Sequence, residues 1–353
     1  MTNKRVYLDI HAIQTLPPSN VNRDDTGSPK TAVYGGVRRA RVSSQSWKRA
    51  IRKYFLEESE ADVGVRSLNV IRYVADCIRE MDSSVSEEKA MDLAEKVFHD
   101  AGIKTKDHKT QALFFLGKKQ AEKLAEAALK GEKDKEVIKK IFQENPAVDI
   151  ALFGRMVADD PSLNEDASAQ VAHAISTHEV QTEFDFYAGV DDLNDEDNAG
   201  AGMLGTIEYN SSTLYRYANI ALHELVQQLK DKDQAIEAAK LFIKAFADSM
   251  PTGKVNTFAN QTLPELLMIN IRTDRPVNLV TAYEVPVKSH AGNADPSIER
   301  LFKEVEKTNK FVNKPYKTFF VSASSIEKPV WAQEEDSLTA LLDNFVASVT
   351  DLL

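Results

Sequence analysis

The chemistry written most plainly in this chain is that of cations meeting a polyanion. Residues 1–56 carry eleven lysines and arginines, Lys4, Arg5, Arg23, Lys30, Arg38, Arg39, Arg41, Lys48, Arg49, Arg52 and Lys53, against three acids, Asp9, Asp24 and Asp25. No acid occurs from Thr26 to Leu56, whereas Met156 to Tyr215 holds 13 acids and no Lys or Arg. So segregated a chain concentrates a positive field in one place, and such a field suits phosphates. A patch that pairs with the acidic segment, in the same chain or a neighbouring copy, is the plainer alternative. Lys30, Arg38, Arg39, Arg41, Lys48, Arg49 and Arg52 have the reach for phosphates. Ser43 and Gln45 open a helix whose first N–H groups are free for an anion.

Other reactive residues are sparse. Asp24-Asp25, in a loop beside cations, could hold a divalent ion for RNA cleavage, but two adjacent aspartates make a poor cage. An Asx turn is the structural use of such a pair. His173 and His178 are five apart, so one helix does not aim both at a metal. His11, on the first strand, is the one histidine placed for ribonuclease chemistry, with a half-buried position in the sheet as its alternative. The run Pro251-Thr252-Gly253-Lys254 lacks the spacing of a phosphate-binding P-loop. Cys77 sits on an apolar helical face and reads as core. No cofactor motif is present, and none is expected.

These residues need a scaffold. Val6–Thr15 alternates with period two and predicts a half-buried strand. Ser43–Glu58 predicts an amphipathic helix capped by Ser43 or Ser44, with Trp47, Ala50, Ile51, Tyr54 and Phe55 on its apolar face. From about Asp62 to His178 the pattern reads as helical throughout, including the run SAQVAHAISTH. Residues 180–213 read as a long hairpin with a Gly-rich tip, followed by a strand at Thr213–Leu222. Further on come a helix at Asp231–Met250, strands at Leu263–Thr273, around Thr281–Val287 and at YKTFFVSAS, and helices at Ser297–Thr308 and Ser337–Leu353. Without its insertions this order predicts an RRM-like α+β sheet with helices on one face. The open face of such a sheet often binds single-stranded RNA, although no RNP aromatic box is present.

The 353 residues carry 44 Lys+Arg, 54 Asp+Glu and a single cysteine. One cysteine excludes an internal disulfide framework, which points to a reducing compartment, and no CxxC or Cys/His spacing for structural zinc occurs. No apolar run approaches membrane-spanning length, and the N-terminus lacks a signal peptide's apolar core. A cytoplasmic protein with no membrane partner is expected.

Longer motifs carry a resemblance. NRDD (Asn22–Asp25), YGGVRRARVSSQSWKRAIRK (Tyr34–Lys53), VDIALFGRM (Val148–Met156), AHAISTHEVQTEFDFYAGVDDL (Ala172–Leu193), AGMLGTIEYNSSTLYRYANI (Ala201–Ile220) and MPTGKVNTF (Met250–Phe258) follow in order over nearly the whole chain. Together they resemble the CasC family, the Cas7-type crRNA-binding backbone subunit of the type I-E CRISPR Cascade complex. The resemblance implies a RAMP-type, ferredoxin-like palm (residues 1–58 and 214–353), a helical fingers insertion (59–180) and a β-hairpin thumb (181–213). It implies copies polymerised head to tail along a guide RNA, other Cascade subunits as partners, and a target DNA strand recognised by guide pairing. The protein holds the backbone while base pairing supplies specificity, a division of labour known from another CRISPR effector.

Residue by residue, the resemblance points especially to Arg23, Lys30, Ser43, Gln45, Lys48 and Arg52 as RNA contacts. Asn22, Ser44 and, in the Gly-Lys loop, Lys254 join the set. Val37 departs from it, since relatives often carry another basic residue there. Phe186 and Tyr187 match an aromatic pair of the thumb, Met203 and Leu204 fall at its tip, and Met156 ends the fingers segment. These five are candidates to wedge against a displaced base, a contact worth about 1–3 kcal/mol and tolerant of sequence. Ordinary hairpin packing is the alternative for the aromatics. A non-catalytic RNA scaffold is thus expected. A ribonuclease of the same fold, using Asp24, Asp25 or His11 as related type III backbone subunits use a loop aspartate, is the second reading. A scaffold docking an acidic protein is the third.

Overall fold

The computed structural model describes residues 5–189 and 203–353, the side chain of Met203 excepted. The thumb tip expected around the Gly-rich run lies outside the described residues. Among those described, the main sheet has ten strands. Its centre is the first strand, Tyr7–Ser19, flanked antiparallel by the long strand Met203–Ala221 on one side and by Leu266–Arg272 on the other. Lys317–Ser322 extends the latter edge. On the other side the long strand takes up two short strands, Ala169–Val171 and Ala174–Ser176.

Those two short strands correct the sequence reading. SAQVAHAISTH was expected to be helical; it is instead the broken second strand of a ferredoxin-like core. The order is strand, helix, broken strand, long strand, helix, strand, with the last strand beside the first and the long strand between the first and the broken one. Its alanines satisfy helical periodicity, but pairing with the long strand decides the outcome, since strand preference depends on context. The hairpin arm and the expected strand at Thr213 are likewise one continuous element of 19 residues. The region around Thr281–Val287, expected to be a strand, contains a 3-10 turn, Val280–Tyr283.

The first strand is buried on both faces. Leu8, Ile10 and Ala12 pack in one core with the helices Ser44–Glu58, Lys232–Asp248 and Leu338–Thr350. Ile13, with Tyr215, Tyr217 and Met268, packs in another against the helix Ala294–Thr308. Among the described residues, the central strands are thus covered on both sides, unlike an RRM with an open sheet face.

The second face carries a polar network. His11 is fully buried, its Nδ1 2.9 Å from the Tyr215 hydroxyl and its Nε2 3.2 Å from the Asn270 amide. Tyr217 donates to Asp9 at 2.8 Å. Burial pushes the Asp9 carboxyl up to about 7 and the His11 imidazole down to about 3. The two groups tilt stability in opposite directions. Between about pH 4 and 7 folded Asp9 keeps a proton that the unfolded chain releases, so its contribution falls as pH rises. Between about pH 3 and 6.5 the unfolded chain protonates His11 and the fold does not, so that contribution rises with pH. Removing the imidazole in His11→Asn leaves the Asp9 tilt unopposed. Its denaturation free energy should change with a slope more negative than the parent's by about 1.4 kcal/mol per pH unit from pH 4.5 to 6. Equal slopes in urea titrations of the two proteins would contradict this arrangement.

The fingers pack four helices, Val70–Met81, Glu87–Ala101, Lys118–Lys130 and Lys135–Gln143, around Phe98, Phe114 and Phe142. These three rings meet edge to face with centroids 5.5–5.8 Å apart, which favours their quadrupoles. Cys77 is part of this core. No helix among the described residues is long and apolar enough to cross a membrane.

Candidate nucleic-acid interface

Two prolines determine how the chain leaves the sheet. The pairing of the first strand with the long strand slips between Leu16 and Ser19, at Pro17-Pro18, where two missing N–H groups interrupt the ladder. The bulge releases the chain into the basic loop at the root of the thumb. Asn20 Nδ2 then ties that loop, donating to Gly27 O at 3.0 Å and to Glu208 O on the thumb strand at 2.8 Å. Asn22 accepts the Ser43 N–H at 2.8 Å, fixing the loop to the start of the basic helix. Ser43 is the N-cap and accepts from Ser46 N. Ser44 and Gln45 begin the helix, where first-turn N–H groups lack intrahelical acceptors.

The loop Met250–Gly253 closes the other side. A Cβ on Gly253 would stand 2.2 Å from Val21 O, so only glycine permits this backbone approach. Lys254 follows with φ of 50° and precedes the short turn Val255–Phe258, whose Phe258 ring meets Tyr209 of the thumb strand at 5.8 Å. Basic loop, basic helix and this loop enclose a cleft of about 730 Å³. Arg23, Arg49 and Lys53 line it, together with Asp24, Glu57 and Asp248. Lys30 and Arg41 line a smaller hollow with Asn22, Asn210 and Ser212 at the thumb root. Arg41 donates to Thr31 O and meets His173 Nδ1 at 3.0 Å. Partial burial, then the Arg41 and Lys30 charges, hold the His173 imidazole below its usual range.

Several expected contacts have other occupations. Arg39 is 0% exposed, and its guanidinium is bonded to the carbonyls of Tyr34, Ser176 and Tyr283. It ties its own strand, Val37–Val42, to the sheet and is not presented to a phosphate. Arg52 pairs with buried Asp149 at 2.8 Å, donates to Gly64 O and lies 4.5 Å from the Phe115 ring centroid. It fastens the basic helix to the short helix Val148–Phe153. Lys48 stands half-buried over the Phe153 ring, and burial lowers its ammonium pKa. Arg23, Arg38, Arg49 and Gln45 are exposed. Sequence reasoning left Lys53 out of the site, although it lies one turn beyond Arg49 on the same stripe.

The thumb pairs Glu183–Gly189 with Met203–Tyr209. Directly opposed residues share a face and successive residues alternate. Phe184, Phe186 and Leu204 therefore form one stripe, at 65, 67 and 61% exposure, while Tyr187 points to the other face. There Tyr187 lies across Gly205, where an added Cβ would meet its ring at 2.4 Å. Phe186 and Tyr187 thus lie on opposite faces of the hairpin, and Phe184 is the aromatic that shares a face with Phe186. Met156 is 82% exposed beside Arg155 at the end of the fingers segment.

A family model described as CT1975-like protein matches residues 8–346. The chain belongs to the CT1975-like family. No curated protein matches it. The fold of this CT1975-like protein is similar to a chain of a solved "CRISPR RNA-guided surveillance complex, pre-nicking", with a TM-score of 0.85 and 33% identity over 97% of this chain and 99% of that one. It is also similar to a chain of a "CRISPR RNA-guided surveillance complex", with a TM-score of 0.76 and 30% identity over 97% and 99%.

In this CT1975-like chain Asp24 is committed to its own loop. Its Oδ1 accepts Thr26 N, the Thr26 hydroxyl and Ser28 N at 2.7–3.0 Å. The Thr26 hydroxyl, first among these, keeps the carboxyl below its ordinary range. This is the Asx turn that the Pro/Gly surroundings favour. Among the described residues, no three His, Cys, Asp or Glu side chains group as metal ligands.

Proposed function

We propose that this protein is the backbone subunit of a type I-E CRISPR surveillance complex, binding guide RNA without cutting it and polymerising along the spacer. The observation that carries the reading is similarity to surveillance-complex chains over 97% of its length. The cleft lined by Arg23, Arg49 and Lys53 supports it, because exposed cations on rigid elements suit a ribose-phosphate backbone of any sequence. The non-catalytic part of the proposal rests on two placements: His11 is sealed in the sheet, and Asp24 Oδ1 holds its own loop together in an Asx turn. Guide bases left accessible would pair with a target DNA strand, with other Cascade subunits completing the particle.

Co-expression with a guide RNA should yield large particles with a fixed ratio of protein to intact RNA. Metal-dependent shortening of the RNA, abolished by Asp24→Ala, would instead establish the ribonuclease. Particles free of nucleic acid would establish a protein-docking scaffold. Within the RNA particle, Phe186→Ala should alter which bases resist chemical modification while leaving the salt dependence of assembly unchanged, because an aromatic ring releases no counterions. A changed salt slope in that variant would contradict the separation of thumb from cleft.

A further inference from the structure

The strongest feature outside the cleft is a second basic surface, on the far part of the chain. The exposed helix stripe and turn after Ala294–Thr308 carry Lys303, Lys307, Lys310, Lys314 and Lys317. Within residues 303–317 the acids are Glu304, which is buried and bonded to Thr281 and Lys307, and Glu306, which accepts from Trp331 Nε1. Phe311, at the centre of this run, is 89% exposed, and Tyr316 is exposed beside it. Phe311, Lys310 and Arg275 line a hollow of about 510 Å³ together with Asp274, whose carboxylate is paired with Arg272.

The turn that carries Phe311 is firmly held. Buried Arg272 donates to both Asp274 oxygens at 3.1 and 3.2 Å and to Asn313 O at 2.6 Å. Asp274 in turn accepts Asn313 N at 3.1 Å. An apolar ring on such a turn has been placed in water, not left there by slack chain. With lysines before and after it, the ring has what a stacking platform for single-stranded nucleic acid requires: a flat apolar face, and cations for the flanking phosphates. An acidic protein surface could use the lysines too, but a single strand brings a base for the ring with every phosphate it brings to the lysines.

We infer that Phe311, with Lys310 and Arg275 in the same hollow and Lys314 three residues further along the chain, forms a second binding site for single-stranded nucleic acid, in which a base stacks on the Phe311 ring. The site is independent of the guide-RNA cleft and stands or falls separately.

The test is local. In Phe311→Trp, ten-residue oligothymidylate and oligouridylate should quench the new indole, with the native tryptophan signal subtracted using the parent. Comparing the two oligomers decides between DNA and RNA as the source of the strand. Adding Lys310→Ala and Lys314→Ala should raise the quenching midpoint about tenfold and reduce its log–log salt slope by about 1.4, two phosphate contacts of roughly 0.7 each. Oligomer binding seen by anisotropy without quenching of the new indole would overturn the proposal while leaving the cleft intact. So would polyglutamate competing as well as the oligonucleotides, which would assign the surface to an acidic protein.

Discussion

Replacing Arg23, Arg49 and Lys53 together by alanine should cost the protein about 10- to 100-fold in RNA affinity at 0.15 M salt. The argument is counterion release. Each phosphate neutralised on a single strand contributes about 0.7 to the slope of log affinity against log salt, so three contacts account for about 2. The three side chains line one cleft from two elements that Asn22 fastens together. Arg23 and Arg49 are exposed, and Lys53 pairs with Glu57 at 3.4 Å on the surface, a pair of little consequence for stability. The triple variant should therefore fold normally, and its thermal midpoint should match the parent's within about 2 °C. Filter binding of a guide-length RNA over a salt series reads both the affinity and the slope. An unchanged slope would remove the cleft from the interface. Arg39→Ala is the informative contrast, since it should lower the thermal midpoint: its loss strips a partner from three buried carbonyls.

The second large effect is on the joint between the basic helix Ser44–Glu58 and the short helix Val148–Phe153. Asp149→Ala should destabilise the protein by about 3 kcal/mol. Asp149 is wholly buried and receives Arg52 at 2.8 Å and the Gly64 N–H at 2.8 Å. Removing it leaves a guanidinium on the Phe115 ring with no counter-charge, and breaking a buried pair from one side costs about 3–5 kcal/mol. The low end applies because Arg52 is 22% exposed and water can reach it. Burial alone holds the Asp149 carboxyl above its ordinary range in spite of its partners, so the pair as a whole contributes little net stability. The double replacement Arg52→Met with Asp149→Leu should accordingly recover most of the loss. Urea denaturation of the two singles and the double measures this as a cycle. Additive losses would show that the two groups do not act as a pair.

The asymmetry between Arg49 and Arg52 shows where sequence stops informing. Both lie on the basic helix, three residues apart, and nothing local distinguishes them. What separates them is a carboxylate 97 positions away in the chain. Arg39 follows the same logic: an arginine between Arg38 and Arg41 reads as part of a basic run, yet the strand's alternation turns it inward while Arg38 stays outside. The thumb aromatics were legible as a motif, but their faces depended on register, and register placed Phe184 with Phe186 and turned Tyr187 away.

Charge segregation, the capped helix at Ser43 and the four helices between Val70 and Gln143 were determined by the sequence itself, because caps, periodicity and net charge are properties of neighbours along the chain. The second strand of the palm, the burial of both sheet faces and the choice of which cations remain free were decided only by tertiary structure. Each of these depends on a partner far away in sequence, and a hydrogen-bond ladder or a buried charge takes its partner from whatever folding brings within about 3 Å.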